Sequence, residues 1–209
     1  MNVGAIEGED FLVCFEARAT PAAARDWLKK LREHTQKPIR HLVLTHYHAV
    51  RVLGASAFGA EHIIASETTK KLIEERGKED WDSEFGRMPR LFKDPSEIPG
   101  LTWPTKTFSD SFDIELGGDR GKIELRFCGR GHTAGDIVAW HAKSKTLFAG
   151  DLVEAEAALY TGDAFHMDWA AGTLDKVKAF RAQNLIGGRG AVARGEAACD
   201  AAVEQTREF

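Results

Sequence analysis

Apolar residues follow two patterns in the first half of the chain, and these predict alternating strands and helices. Nearly continuous apolar runs at 11–15 and 41–45 are typical of short strands buried on both faces. Between them, Thr20 and Pro21 are residue types that favour the N-cap and first turn of a helix. Apolar residues then recur at helical spacing, which predicts an amphipathic helix packed on a flat surface.

The rest of the first half is predicted to hold a short helix at 52–58, a strand at 62–65 and a helix at 67–76. Residues 77–106 are rich in proline, glycine and charge, so they are predicted to form a long surface excursion. Loops of that length are uncommon unless they are functional or mobile. The excursion is expected either to cover a cleft as a lid or to pack as an ordinary loop.

The second half changes to a run of strands followed by helices. Apolar runs predict strands at 107–116, 122–128, 136–141 and 146–149, a helix at 173–182, a short strand near Leu185 and a last helix. Two successive blocks of strands and helices indicate an α/β protein, with two sheets packed face to face and helices outside. At 209 residues, the chain is expected to form one domain over 1–209.

Composition and charge argue against several classes of protein. A net charge of -4 argues against a dedicated nucleic-acid binder, which is usually basic. No apolar run approaches the ~20 residues that span a bilayer, so no membrane partner is expected. Three widely spaced cysteines, two of them in apolar runs, and the lack of a visible secretory signal predict buried thiols and a cytoplasmic location.

Three histidines lie at positions suited to a metal. His46 and His48 end the second predicted strand, and in extended backbone residues i and i+2 point to the same side. Both imidazoles can therefore face one ion, although packing alone explains most His-x-His sequences. His132 lies in the glycine-rich stretch 129–136, which can turn sharply and present the ring at a sheet edge, or can be an ordinary turn.

Two further motifs carry charge. Asp151 follows the apolar run at 146–149, in a position that is also typical of a helix N-cap or a turn. Arg189 lies in the glycine-rich stretch 187–190, which is predicted to be a flexible loop whose N–H groups and guanidinium can hold an anion. Each motif says little alone.

The order of these motifs along the chain resembles that of the metallo-β-lactamase superfamily. The matching sequences are His46-Tyr47-His48, Gly131-His132-Thr133-Ala134-Gly135-Asp136, Gly150-Asp151 and Gly187-Gly188-Arg189-Gly190. The resemblance implies a four-layer αββα sandwich with the active site along one edge. It also implies one or two metal ions, usually zinc or iron, and hydrolysis of esters, thioesters, lactones, amides or phosphodiesters.

The departures from the family pattern fall on the second metal. The family's His-x-His-x-Asp-His motif has Val50 and Arg51 here in place of its last two ligands. Arg189 stands where the family has its last metal-binding histidine, and Glu16 where it has a strand-end aspartate. The resemblance keeps four metal ligands: His46, His48, His132 and, as the bridging or second-site ligand, Asp151. The chain also begins later than is usual and its last helix reaches Phe209 uncapped, so truncation at both ends is expected.

Charge indicates that the second metal site is empty. Two arginines beside one carboxylate give about +1 before any metal is added, and a guanidinium offers only hydrogen-bond donors. Arg51 and Arg189 are therefore expected to substitute for the second ion and to pair with Asp151. One ion at most, zinc or else iron or manganese, is expected on the three histidines.

Two functions follow from these residues. If a metal binds, the protein is predicted to hydrolyse a small ester, thioester or lactone, with Asp151 as a catalytic group and Arg51 and Arg189 holding an anionic part of the substrate. The alternative is a superfamily member without catalysis that binds an anionic metabolite or serves as a structural or interaction module. The retained histidines favour the enzyme, and Val50 favours the inactive protein, because it cannot orient or deprotonate a water.

Overall fold

The computed structural model describes all 209 residues and contains two compact units. The N-terminal unit is Val3–Thr107, and the C-terminal unit is Phe108–Phe209 together with Met1–Asn2. Each unit has its own cluster of buried apolar side chains. The expectation of one folding domain over 1–209 stays a prediction.

The sheet of the N-terminal unit has five strands in the order β1-β2-β3-β4-β5. They are β1 (Gly4–Glu7), β2 (Leu12–Phe15), β3 (Ile39–Val43), β4 (His62–Ser66) and β5 (Lys106–Phe108). β2, β3 and β4 run parallel, and β2 is buried along its whole length, as its apolar run predicts. Parallel pairing puts the residues that follow β2 and β3 at the same edge of this sheet.

Two helices begin at the positions that matter for this edge. α1 (Pro21–Leu31) starts as predicted, because the Thr20 hydroxyl accepts a hydrogen bond from the Ala23 N–H at 3.2 Å. α2 (Ala49–Val52) begins directly after His48. The helix predicted at 52–58 is wrong, because only a 3-10 turn, Ala55–Ala57, follows α2.

Gly54 lies between α2 and this 3-10 turn. A Cβ at this position would lie 2.1 Å from the carbonyl oxygen of Ala17. The backbone after β2 therefore occupies the place where a side chain would stand, and this close approach requires glycine at position 54.

α3 (Glu67–Arg87) is longer than the predicted helix at 67–76. Its second half occupies the first part of the stretch that was predicted to be an excursion. Between Arg87 and β5 the chain is irregular apart from a 3-10 turn, Pro95–Glu97. Tertiary packing explains the extension: Gly77 is buried, and a Cβ there would lie 3.4 Å from the Leu101 side chain. Close packing offsets the helix propensity that glycine lacks, which is about 1 kcal/mol.

The sheet of the C-terminal unit has six strands in the order β11-β10-β9-β8-β7-β6. They are β6 (Ser111–Glu115), β7 (Lys122–Phe127), β8 (Ile137–His141), β9 (Thr146–Glu154), β10 (Asn184–Arg189) and β11 (Ala193–Arg194). β9 and β10 are parallel, and the other neighbours are antiparallel. The single strand predicted at 107–116 is wrong, since a bend at 109–110 divides it into β5 and β6.

Two boundaries in this sheet differ from the prediction in a way that affects the site. β9 does not end at Ala149 but continues to Glu154, so Asp151 lies inside a strand. The stretch 187–190 is not a flexible loop, because β10 runs through it to Arg189. β9 and β10 pair in an irregular register.

Helices complete the C-terminal unit. The predicted helix at 173–182 lies earlier, as a continuous helical segment formed by α4 (His166–Asp168), a π-helical turn (Trp169–Thr173) and α5 (Leu174–Lys178). The last helix, α6 (Glu196–Glu208), packs Cys199, Ala202 and Val203 into the core. No helix in either unit has both the length and the apolar character needed to cross a membrane.

Candidate metal centre

The His46 and His48 rings lie next to each other in the N-terminal unit. Their centroids are 4.9 Å apart, the ring planes are nearly perpendicular at 87°, and both side chains are buried. The short segment between the end of β3 and the start of α2 carries them. It is the strand-end position from which the sequence predicts two convergent imidazoles.

A chain of side-chain contacts orients His46. Its Nδ1 lies 3.0 Å from the Thr45 hydroxyl, and that hydroxyl also makes a short hydrogen bond to the Glu16 carboxylate. Because a hydroxyl has one proton, which it donates to the carboxylate, its oxygen accepts from the Nδ1–H of His46. This assigns the tautomer in which Nε2 of His46 carries the lone pair that can bind a metal.

The segment around His48 is held by α3. The Ala49 N–H, at the start of α2, donates to the Asp80 carboxylate at 2.6 Å. The guanidinium of Arg76 lies 5.7 Å from the centre of the Tyr47 ring, whose neighbour in space is the His48 ring at 4.6 Å. Sequence reasoning missed Asp80, since it falls in the stretch predicted to be an excursion.

His132 lies in the C-terminal unit, in the loop between β7 and β8. Asp136 fixes that loop: its carboxylate accepts from the Thr133 N–H at 2.6 Å and from the Thr133 hydroxyl at 2.9 Å. Gly131 allows a close approach, because a Cβ there would lie 2.3 Å from the Leu152 side chain. The glycines and the aspartate of this motif therefore serve to present one buried histidine.

Asp151 is next to His132. One of its carboxylate oxygens lies 3.6 Å from Nε2 of His132, and both side chains are at most 2% exposed. The Trp169 ring meets the His132 ring edge-on, with centroids 5.9 Å apart. An apolar wall and an acidic group thus face the same imidazole.

Arg189 is bound to Glu154, a residue that the sequence analysis did not single out. Its Nη1 lies 2.7 Å and 2.8 Å from the two carboxylate oxygens of Glu154. The Glu154 carboxyl is also hydrogen-bonded to Asp151; burial and the charge of Asp151 raise its pKa, against the effect of Arg189. The contact that the sequence predicts between Arg189 and Asp151 therefore runs through Glu154.

A bulge in β9 brings Asp151 and Glu154 together. Gly150 pairs with Gly187, and Glu154 with Arg189, so four residue steps in β9 face two in β10. In a regular strand, residues three apart point to opposite faces. An acidic residue three positions after Asp151 is therefore visible in the sequence, but its convergence with Asp151 depends on the bulge.

Val50 and Arg51 occupy α2, immediately after the histidine pair. Val50 is 6% exposed and Arg51 is fully buried. Neither offers a lone pair for a metal. The donor set fits one transition-metal ion on neutral imidazoles, a common zinc ligand set, and does not fit a second ion at these two positions.

The sequence profile of the metallo-β-lactamase superfamily matches residues 2–188 of the chain. The chain belongs to this superfamily. Its members bind metal ions and share a hydrolase-like fold, so the resemblance predicted from the four motifs is confirmed.

Similar proteins agree with this assignment. The structure of a metallo-β-lactamase from Pontibacter korlensis superposes with a TM-score of 0.76 at 20% identity, covering 98% of this chain and 84% of that one. The predicted α/β fold of the metallo-β-lactamase type is thereby confirmed.

Two curated relatives have higher identity over shorter stretches. A type 2 metallo-β-lactamase of Bacillus sp. (strain 170) is 25% identical over 167 residues, which are 78% of this chain and 55% of that protein. The 2,4-dinitroanisole O-demethylase subunit alpha of Nocardioides sp. (strain JS1661) is 24% identical over 170 residues, 78% of this chain and 42% of that protein. The chain thus spans about half the length of the curated relatives that it matches.

Proposed function

We propose that this protein is a hydrolase with one metal ion, held by His46, His48 and His132, and that it cleaves a small ester, thioester or lactone. The observation that carries the proposal is the orientation of the His46 ring. A buried imidazole whose Nδ1–H is held through Thr45 by Glu16 presents Nε2 as a ligand atom. Zinc is the ion that we expect, with iron or manganese as substitutes.

The proposal of one ion rests on the residues at the second site. Val50 and Arg51 replace two ligands, and Arg189 is engaged with Glu154. A dication about 4 Å from one guanidinium is repelled by about 8 kcal/mol at an effective dielectric constant near 20. The carboxylates of Asp151 and Glu154 offset part of this repulsion, but Glu154 is already bound to Arg189.

The residues around the histidines define what the chain itself contributes. When bound, the metal would supply Lewis acidity and a nucleophile at neutral pH. Asp151, 3.6 Å from Nε2 of His132, is the acceptor that can receive a proton at this place. Trp169, buried against His132, excludes water from one side.

The substrate that we propose is small and carries a negative charge. Arg51 and Arg189 are the cationic side chains that the motif positions supply. A small anionic ester or thioester fits this charge better than a nucleic acid, given the net charge of -4.

Metal analysis and a substrate panel test the proposal. We expect about one zinc per chain after reconstitution, lost in His48→Ala and retained in the exposed control His34→Ala. The panel contains small esters, thioesters and lactones, and also an aryl methyl ether, because one relative is a dinitroanisole O-demethylase. Hydrolysis that disappears in His132→Ala supports the enzyme. Equal and negligible zinc in wild type and His48→Ala would contradict the metal site.

An inactive binder is the competing outcome. It predicts no turnover on any substrate with added zinc, iron or manganese, together with saturable binding of a small anion. That pair of results would overturn the proposed hydrolase activity and leave the superfamily assignment untouched.

A further inference from the structure

The acidic pair in β9 extends the candidate site beyond the residues of the family motifs. Glu154 lies at the far end of the β9 bulge, and its side chain is 1% exposed. A buried carboxylate needs a partner, and Arg189 supplies one from the neighbouring strand. The side chain of Glu154 is therefore held by β10, and its backbone continues the strand that carries Asp151.

The backbone of Glu154 is held as firmly as its side chain. Its N–H donates to the Thr206 hydroxyl at 3.2 Å, and that hydroxyl lies 3.0 Å from the Ala202 carbonyl oxygen, both on α6. A strand and a helix thus determine where the carboxyl group of Glu154 stands. It is hydrogen-bonded to Asp151 from this position.

We infer that Glu154, clamped by Arg189, is the positioning residue for Asp151 and, through Asp151, for the His132 imidazole. The inference rests on the proposed function, because only there is His132, which the Arg189–Glu154 pair would hold through Asp151, a metal ligand. Arg189 then replaces the second ion as the cation of this part of the site. It acts on Asp151 indirectly, through a carboxylate that no family motif supplies.

Charge explains why two carboxylates are needed here. A guanidinium bound to both oxygens of Asp151 would also engage the one that lies near His132. Because Glu154 stands between Arg189 and Asp151, Arg189 donates to both oxygens of the Glu154 carboxylate. Asp151 keeps an oxygen 3.6 Å from Nε2 of His132. Glu154 therefore compensates the charge of Arg189, while Asp151 remains available to orient the His132 ring.

Zinc affinity is the first readout of this inference. Glu154→Gln keeps the shape but removes the charge that Arg189 binds, and we expect a zinc affinity about 10-fold to 100-fold weaker, the range typical of groups behind metal ligands. Arg189→Gln is expected to weaken it similarly, and the double variant no more than either single one, because the two act as a unit. Arg189→Lys, which keeps the charge, is expected to restore part of the affinity.

A matched control is available in the N-terminal unit. Glu84 is also buried, 7% exposed in its side chain, and pairs with Arg87 at 47% exposure. Glu84→Gln removes a buried carboxylate of the same kind far along the chain, so it reports the general cost of such a change. We expect its zinc affinity to equal that of the wild type.

The second readout needs no metal. Long-range ¹H–¹⁵N spectra of the metal-free protein report each imidazole, and His141, fixed by Ser144 at 2.7 Å and the Arg120 carbonyl at 2.9 Å, is an internal reference. We expect the ring signals of His132 to shift in Glu154→Gln and those of His141 to stay. Unchanged His132 signals in a folded Glu154→Gln variant would overturn the inference, whether or not wild type binds zinc. Absence of zinc in wild type with a shifted His132 would overturn the proposed function alone.

Discussion

The Thr45 hydroxyl shows how one atom can decide the metal-binding state of a histidine. It stands between Glu16 and Nδ1 of His46, and all three side chains are buried. Without the hydroxyl, the Nδ1–H would lose an acceptor in a site shielded from water, at a cost of about 1–3 kcal/mol. The other tautomer, which turns its N–H towards the metal, would then compete.

Thr45→Val tests this role, because valine keeps the shape and removes the oxygen. We expect zinc affinity to fall about 10-fold, the lower end of the range for groups behind a ligand. Thr107→Val, at an exposed position in β5, is the control. Equal zinc affinities of Thr45→Val and wild type, measured by competition titration, would show that the hydroxyl does not orient His46.

A second histidine affects stability and not chemistry. His41 in β3 is buried, stacks on His62 at 5.4 Å, and its Nδ1 has no hydrogen-bond partner. Burial, with the neighbouring His62 as a second cause, lowers its pKa from the ordinary 6.5 to about 4. Below pH 6.5 the unfolded chain therefore binds a proton that folded His41 does not take up.

Because of His41, the free energy of unfolding decreases as the pH falls. His41 has no effect well above pH 6.5, and as the pH falls towards 4 it destabilises the folded state. The slope is about 1.4 kcal/mol per pH unit at most, or about 2 kcal/mol between pH 6.5 and 5. In urea unfolding, His41→Gln should lose stability less steeply than wild type over this range, with exposed His34→Gln as control. Identical slopes would refute the role of His41.

At this scale the sequence predicts ligands better than the groups that hold them. His46, His48 and His132 belong to motifs with recognisable spacing. Glu154 and Asp80 do not, because each reaches the site through a contact between elements that no local pattern records. Glu154 needs the bulge in β9, and Asp80 needs four more residues of α3 than the local pattern predicts.

Among the secondary-structure elements, β9 and β10 form the part of the fold that carries the acidic pair. The bulge in β9 pushes the Val153 carbonyl towards β10, where a Cβ on Gly187 would lie 2.2 Å from it. Glycine at 187 is thus required by a close approach of backbone, not by flexibility. The sequence 187–190, read as an anion-binding loop, is instead the strand that accommodates the bulge.

Gly187→Ala tests this account of β10. We expect a loss of about 1–3 kcal/mol in the free energy of unfolding, because the added methyl meets a backbone atom that cannot move freely. Gly86→Ala in α3 is the matched change: a Cβ there meets nothing within 4 Å, so a gain of up to about 1 kcal/mol is expected. Urea unfolding measures both. A Gly187→Ala protein as stable as wild type would contradict the account.

Element boundaries show where apolar patterns stop being informative. The buried strand β2 was predictable, because a strand covered on both faces must be apolar throughout. β3 was predicted at 41–45 but spans Ile39–Val43, because Arg40 interrupts its apolar pattern. β9 was cut short at Gly150, whose φ of +54° belongs to the bulge and not to a turn. α3 was cut short at Gly77, where packing on Leu101 outweighs propensity.

For the whole molecule, the order of four motifs was enough to predict the fold. The superfamily profile and the superposed structure confirm the fold over almost the full chain. The three cysteines are free and buried, and burial raises the pKa of Cys14 to about 12 and of Cys128 to about 11. These thiols are therefore core residues and not a redox pair.

The central claim is one metal ion on three histidines and none at the positions of Val50 and Arg51. Anomalous X-ray diffraction at the zinc edge, on crystals of zinc-reconstituted protein, tests it most directly. We predict a single anomalous peak within about 2.1 Å of one nitrogen each of His46, His48 and His132, the zinc–nitrogen distance of such sites. A second peak beside Asp151 or beside Arg51, or no peak at the histidines, would contradict the claim.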